Sequence, residues 1–338
     1  MARFFLFNFK TFRRAIVTPQ QVLESAFDKG QKYFEWLDTF HGPIDKPIVE
    51  TIEKACGTIW DRKGKRLRCH FVYWFSEPYQ IPPKDLELYS WAVEAIHTAT
   101  LLHDDVIDKA EMRRAGPSAN QIFDNTIPVL SGDYLMSDAI HQLSLKGHPL
   151  LLQGMCLALK QLSQGEILQY QNQFKIADSE DYYRLICDLK TASLLKWAAS
   201  VGPTLVESSD RIHAIDFAIA YGLLYQFTDD LLDIRGTHTK NHLQDLKEGK
   251  LNWAAWKVVQ NNSDLRNYLI EDFTEKRVST NSINRLEKSF HTDSNQKQIH
   301  EFLRLAKTDC MKPLKLLKNS SLRYLCSTLV DFTVNRVC

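Results

Sequence analysis

The stretch LLHDDVID, residues 101–108, decides how this chain is read. It lies in an apolar run from Leu86 to Ala110 whose spacing predicts one long helix. On a helix, positions i and i+4 share a face, so Asp104 and Asp108 project together with Asp105 beside them. Like charges on an apolar helix are costly unless a cation offsets them. The stretch QFTDDLLD, residues 226–233, repeats the pattern with Asp229, Asp230 and Asp233, inside a second predicted helix from Asp210 to Ile234. One such triplet reads most simply as a solvated helix end. Two, each embedded in an apolar helix, point to a shared site in which hard oxygen donors hold divalent cations, and these in turn hold a phosphorylated substrate.

Working outward, the remaining chain also reads as helical. Helices are expected over 20–36, 48–60, 150–174 and 179–200, with another starting at Pro128. Breaks are expected at 41–47, 61–69, 76–85, 113–120 and at Gly202–Thr204. The segment 235–252 reads as a polar loop, and about 271–298 as a polar surface excursion. Gly (13) and Pro (11) are sparse in 338 residues, which favours long uninterrupted helices. No linker separates the two triplets, so one domain over 1–338 is expected.

Composition excludes several classes. Lys plus Arg (42) balances Asp plus Glu (41) for a net charge of +1, without the basic excess of a nucleic-acid binder. Seven cysteines, an odd number without a Cys-x-x-Cys pair, read as reduced, buried thiols of a cytoplasmic protein. No uncharged apolar run reaches membrane-spanning length. The basic, aromatic start MARFFLFNFKTFRRA reads as a segment that packs on the body or touches a membrane surface.

Basic side chains supply the other half of the pattern. Lys65, Arg66 and Arg68 cluster in GKRLR; Arg113 and Arg114 follow the first triplet; Lys190 stands between the triplets; Lys240, Lys247 and Lys250 follow the second. Singly each reads as a surface charge. Together they suit two anionic ligands, one reached through metal and one gripped by cations alone.

The blocks GKRLR (64–68), EAIHTATLLHDDVIDKAEMRRAGPSAN (94–120), GDYLMSDA (132–139), QGEILQ (164–169), KTASL (190–194), YGLLYQFTDDLLD (221–233) and DLKEGK (245–250) resemble, in order, those of the trans-polyprenyl diphosphate synthases. The block over 94–120 is especially similar to the bacterial octaprenyl, long-chain type. The resemblance covers about residues 60–250. It implies an all-α antiparallel bundle around a deep central cavity, usually a homodimer, that joins isopentenyl diphosphate to an allylic diphosphate with more than one Mg²⁺.

It further implies magnesium ligands at Asp104, Asp108 and Asp229, supported by Asp105, Asp230 and Asp233. Arg113, Lys190, Thr191, Gln226, Lys240 and Lys250 correspond to the allylic diphosphate site. Lys65, Arg68, His97 and Arg114 correspond to the isopentenyl diphosphate site. In such chemistry the allylic C–O bond ionises, isopentenyl diphosphate attacks, and released diphosphate takes the proton, so no protein base is required. Thr191 and Gln226 orient the intermediate through their dipoles.

The chain departs from the family pattern at Lys63, Cys69 and Leu243, and at Asn252-Trp253-Ala254 after Lys250. A loop that closes differently is expected there.

Short-chain members carry a bulky aromatic just upstream of the first triplet. Here stand Thr100 and Ala99, followed along the helix by Ile96, Ala95 and Ala92. This column of small residues predicts a product longer than twenty carbons, of the kind that forms quinone side chains. Rival readings are a geranylgeranyl diphosphate synthase and a non-catalytic partner subunit. Glu94 and His97 form a Glu-x-x-His found in di-iron bundles, but no second copy follows. His103-Asp104 resembles the helical metal phosphohydrolases, a reading that leaves Asp229–Asp233 unexplained.

Overall fold

In a computed structural model, residues 18–33, 46–60, 64–113, 116–236 and 242–337 are described. The chain is all-α. The helices are α1 (Pro19–Tyr33), α2 (Lys46–Trp60), α3 (Leu67–Ser76), α4 (Pro83–Ile107), α5 (Ala119–Phe123), α6 (Thr126–Lys146), α7 (Pro149–Gln171) and α8 (Glu180–Cys187). After a π turn at Asp188–Ala192 follow α9 (Ser193–Leu205), α10 (Asp210–Arg235), α11 (Gln244–Lys247), α12 (Trp253–Gln260), α13 (Ser263–Thr274), α14 (Thr280–Phe290), α15 (Asp293–Leu314) and α16 (Ser320–Asn335). Among the described residues the strands are β1 (Met112–Arg113) and β2 (Gly116–Pro117), paired antiparallel with Arg113 opposite Gly116.

The two aspartate-bearing helices sit centrally because they are apolar around most of their circumference. Helix α4 packs on α6, α3, α2 and α9, and α10 packs on α9, α15, α12 and α16. Pro83 at the first position of α4 fits the fixed φ of proline. The apolar core runs continuously from Leu23 to Val337. No described helix is long and apolar enough to cross a membrane.

Three expectations are corrected. Gly202-Pro203-Thr204 does not break the chain but lies inside α9. Pro203 forgoes one helix hydrogen bond, the one its N–H would make to the Ala199 carbonyl, two residues before α9 ends. Gly202 marks close packing: a Cβ there would lie 2.5 Å from the Phe75 carbonyl oxygen. The expected surface excursion over 271–298 instead contains α14, held by one buried face of Ser282, Leu286 and Phe290. Cys156 is exposed, whereas Cys56, Cys69, Cys187, Cys310 and Cys326 are buried, none in a disulfide.

Candidate active site

Helices α4, α6, α7, α9 and α10, with the π turn and the 245–253 segment, enclose a cavity of about 730 Å³. Both aspartate motifs reach it. Asp104 and Asp108 line it from the end of α4, and Asp229 and Asp230 from α10. Arg68, His97, Arg113, Lys190, Thr191, Gln226 and Lys250, all anticipated as substrate-binding or catalytic, line the same cavity. Asp105, Asp233 and Lys65 do not belong to its lining. Arg114 and Lys240 lie outside the described residues, as does the basic aromatic N-terminal segment.

The carboxylates sit in a network of cations. Lys250 Nζ donates to Asp108 Oδ1 at 2.5 Å and to Glu248 Oε2 at 3.0 Å. This contact ties the segment after the second motif to the first motif. Burial alone would lower the Lys250 ammonium, but Asp108 and then Glu248 reverse that and hold it above its usual range. Arg336, from the end of α16, donates to Asp229 Oδ1 at 3.0 Å. Lys190 pairs with Glu166 and donates to Gln169 Oε1 at 2.6 Å. Burial pushes the Asp104 carboxyl up to about 7; Lys190 opposes the shift, while Glu166 and Asp108 add to it.

A second chain of bonds fixes the polar wall. Thr191 Oγ1 donates to Gln226 Oε1 at 2.7 Å, and Gln226 Nε2 donates to Asp230 Oδ1 at 2.9 Å. The Trp253 backbone N–H donates to Asp230 Oδ2 at 3.0 Å. With both oxygens engaged, Asp230 is nonetheless pushed up to about 8 by burial, followed by the charge of Asp245. Lys190 and Thr191 stand on the π turn, a local widening common at functional sites. Two glycines let neighbouring helices approach that turn. A Cβ at Gly165 would lie 2.6 Å from Lys190 Cγ, and one at Gly222 would lie 2.8 Å from Ala192 Cβ.

Asp233, expected to support the metal, anchors the segment that carries Lys250. Its Oδ1 accepts the Gln244 N–H at 3.1 Å, and its Oδ2 accepts Asn252 Nδ2 at 3.4 Å. Asn252 also caps α12 by accepting from the Ala255 N–H at 3.0 Å. Leu243, one of the positions of departure, adopts φ 52° and is wholly buried. Its strain, on the order of 1 kcal/mol, is offset by burial of the side chain, worth roughly 1.5–3 kcal/mol.

Of the anticipated chain-length wall, Thr100 lines the cavity. Ala99, Ile96, Ala95 and Ala92 are wholly buried in helix packing and form no part of the lining. In this structure these small residues are buried where α4 packs on its neighbouring helices. The apolar wall below the aspartates comes instead from Leu101, Met136, Leu159, Leu162 and Leu194.

Glu166, Gln169, Glu248 and Arg336 of this network escaped the sequence reading. Glu166 and Gln169 stand one turn apart on α7, within QGEILQ, and their spacing was the available signal. Arg336 reaches Asp229 across 107 positions, and nothing local to it in sequence announces that contact.

Among the described residues, no group of three or more His, Cys, Asp or Glu side chains is close enough to hold a metal alone. Magnesium takes one or two carboxylates and completes its shell with phosphate oxygens and water. Asp104, Asp108 and Asp229, on one cavity, offer the hard oxygen donors it requires.

Residues 49–299 match the family model described as Polyprenyl synthetase. The chain is 29% identical over 252 residues to the all-trans-nonaprenyl-diphosphate synthase (geranyl-diphosphate specific) of Rhodobacter capsulatus, covering 72% of this chain and 76% of that protein. It is 36% identical over 163 residues to the octaprenyl diphosphate synthase of Escherichia coli K12, covering 47% of this chain and 50%, half the length, of that relative. The crystal structure of a decaprenyl diphosphate synthase from Rhodobacter capsulatus superposes with a TM-score of 0.82 at 25% identity, covering 95% of this chain and 100% of that one. A family model matching most of the chain, together with a shared fold and two aspartate motifs on one cavity, establishes that the protein belongs to the polyprenyl synthetase family.

Proposed function

We propose that the protein is a magnesium-dependent trans-prenyltransferase that condenses isopentenyl diphosphate with an allylic diphosphate to build an all-trans chain longer than twenty carbons. The observation that carries this reading is the junction of both aspartate motifs, a ring of cations and an apolar lower wall in one cavity. The long-chain assignment draws on the names of the relatives. The continuous core from Leu23 to Val337 supports one synthase domain.

Asp104, Asp108 and Asp229 would hold the metal, which when bound draws charge off the leaving diphosphate. Arg113, Lys190 and Lys250 grip the allylic diphosphate; Lys65, Arg68 and His97 grip the second substrate. The cations that rest on carboxylates in the free protein turn to phosphate oxygens as substrate arrives. Lys250 and Arg336 thereby free Asp108 and Asp229. Leu101, Leu159, Leu162 and Leu194 exclude water from the cationic carbon. The Thr191–Gln226 pair presents a fixed dipole to it. Released diphosphate accepts the proton, so no side chain has to act as base.

The growing tail runs between α4, α6 and α7. Leu162 and Leu159 stand about one and two turns below Glu166, roughly 10 Å of depth at 1.5 Å per residue. Met136 and Leu159 close that path, and the product length is set where they yield. Helices α6 and α7 pack together and expose Leu130, Leu145, Leu157 and Ile167, an apolar face suited to a second copy of the chain.

Incubation of the purified protein with farnesyl diphosphate, labelled isopentenyl diphosphate and Mg²⁺ tests the reading. Labelled polyprenyl diphosphate beyond twenty carbons is expected. Product stopping at twenty carbons would favour a geranylgeranyl synthase, and no incorporation would favour a partner subunit. Phosphate release without elongation would favour a hydrolase.

A further inference from the structure

The first aspartate motif divides into two kinds of residue. Asp104 and Asp108 line the cavity, whereas the Asp105 side chain is wholly buried and outside the lining. Its Oδ1 accepts from Arg113 Nε at 2.7 Å and from Arg113 Nη2 as well. Its Oδ2 is sealed from solvent and has no hydrogen-bond partner. Magnesium carries several waters and demands octahedral space, and a carboxylate sealed from solvent beside a guanidinium offers it no access.

The backbone around the pair is built to hold it. The Ala110 N–H donates to the Asp105 carbonyl at 2.9 Å and closes the end of α4. Lys109 turns the chain with φ 52°. Ser118 Oγ donates to the Ala110 carbonyl at 2.5 Å, and the Ser118 N–H donates to the Glu111 carbonyl at 3.1 Å. Between these bonds the β1–β2 hairpin presents Arg113, which folds back eight residues to Asp105 and also lines the cavity. The contact engages the Nε edge of the guanidinium and so fixes the plane of the fork, the property that bidentate phosphate recognition uses.

We propose that Asp105 is a positioning residue: its buried carboxylate fixes the Arg113 guanidinium at the cavity for the allylic diphosphate, and it takes no direct part in metal binding. This rests on the proposed function and refines one residue of it. The Asp105–Arg113 pair differs from Lys250–Asp108 and Arg336–Asp229 in that it persists when substrate binds, because Asp105 has no other cation to receive.

The test is a double-mutant cycle read by calorimetry with inorganic pyrophosphate at saturating Mg²⁺. Asp105→Asn should weaken pyrophosphate binding tenfold or more, and should change it less than twofold once Arg113→Gln is present. Binding of Mg²⁺ alone should be unaffected by Asp105→Asn and weakened by Asp104→Asn. Additive losses in the cycle, or weakened Mg²⁺ binding in Asp105→Asn, would overturn the proposal. A merely structural role would lower stability in both backgrounds and leave pyrophosphate binding unchanged, which also overturns it.

A second measurement needs no change at Asp105. The Arg113 Nε–H nitrogen resonance, assigned by its loss in Arg113→Lys, should be slowly exchanging in the free wild-type protein. It should stay so with Mg²⁺ and pyrophosphate bound. Its loss on binding would show that the pair breaks and would refute the assignment. If the wild type binds no Mg²⁺-pyrophosphate at all, the proposed function falls together with this role; additive losses in a binding-competent protein sink the role of Asp105 alone.

Discussion

Asp104 makes the free protein pay for its metal site in a way that pH exposes. Burial raises its carboxyl from 3.8 to about 7. A raised folded-state value means the folded protein holds the proton more tightly than the unfolded chain. The protonated group's contribution is therefore intact below the unfolded value and is lost as pH rises toward 7, at about 1.4 kcal/mol per pH unit. Between pH 5.5 and 8 this one group should remove about 2 kcal/mol from the stability of the metal-free protein. Asp104→Asn cannot ionise and should escape that loss. Urea unfolding of both proteins, without metal, at pH 5.5 and 8 measures the difference directly. The stability of Asp104→Asn relative to wild type should rise by about 2 kcal/mol over that interval. A difference that stays constant with pH would refute the claim that a buried, strained carboxylate waits for a cation. Because metal binding requires the ionised form, Mg²⁺ should also release a proton when it binds below pH 7.

Three further outcomes follow from the same geometry. Lys250→Met removes a partly buried cation from Asp108 and should cost about 2 kcal/mol in urea unfolding and raise the allylic KM at least tenfold in initial-rate kinetics. Leu159→Ala should lengthen the product and Met136→Phe should shorten it, as sized by chromatography. Ala99→Phe should instead overpack a closed helix contact and lower stability by about 1–3 kcal/mol; a product shortened by Ala99→Phe and indifferent to Met136 and Leu159 would place the wall on α4 after all. Light scattering should give a dimer, and Leu130→Asp with Leu157→Asp should yield monomers; a wild-type monomer would remove α6 and α7 from consideration as an interface.

Much of the site was legible because its residues lie close in sequence on long helices. The Asp-Asp-x-x-Asp spacing fixes which carboxylates share a face, and the apolar surroundings fix that this face is enclosed. That is why the two triplets could be read as one site without coordinates, whereas the choice of Asp104, Asp108 and Asp229 as metal ligands came from the family resemblance. The return of Arg113 to Asp105 was not legible, because adjacent aspartates look alike until the hairpin brings the guanidinium to one of them. Asp233 belongs to the same class: its role depends on where Gln244 and Asn252 fold. The small residues Ala92, Ala95 and Ala99 were open to two meanings, since alanine leaves space either for a ligand or for a neighbouring helix. In this structure all three are wholly buried. The π turn under Lys190 and the passage of α9 through Pro203 reflect tertiary packing that overrides local preference.

The central claim is that carboxylates from both motifs share metal around one diphosphate. An anomalous-scattering map of a crystal grown with Mn²⁺ and pyrophosphate tests it most directly. Metal peaks beside Asp104 and Asp108 and beside Asp229, with pyrophosphate between them and Asp105 still on Arg113, are the predicted result. Metal at one motif only, or pyrophosphate bound away from Lys190 and Lys250, would contradict the account.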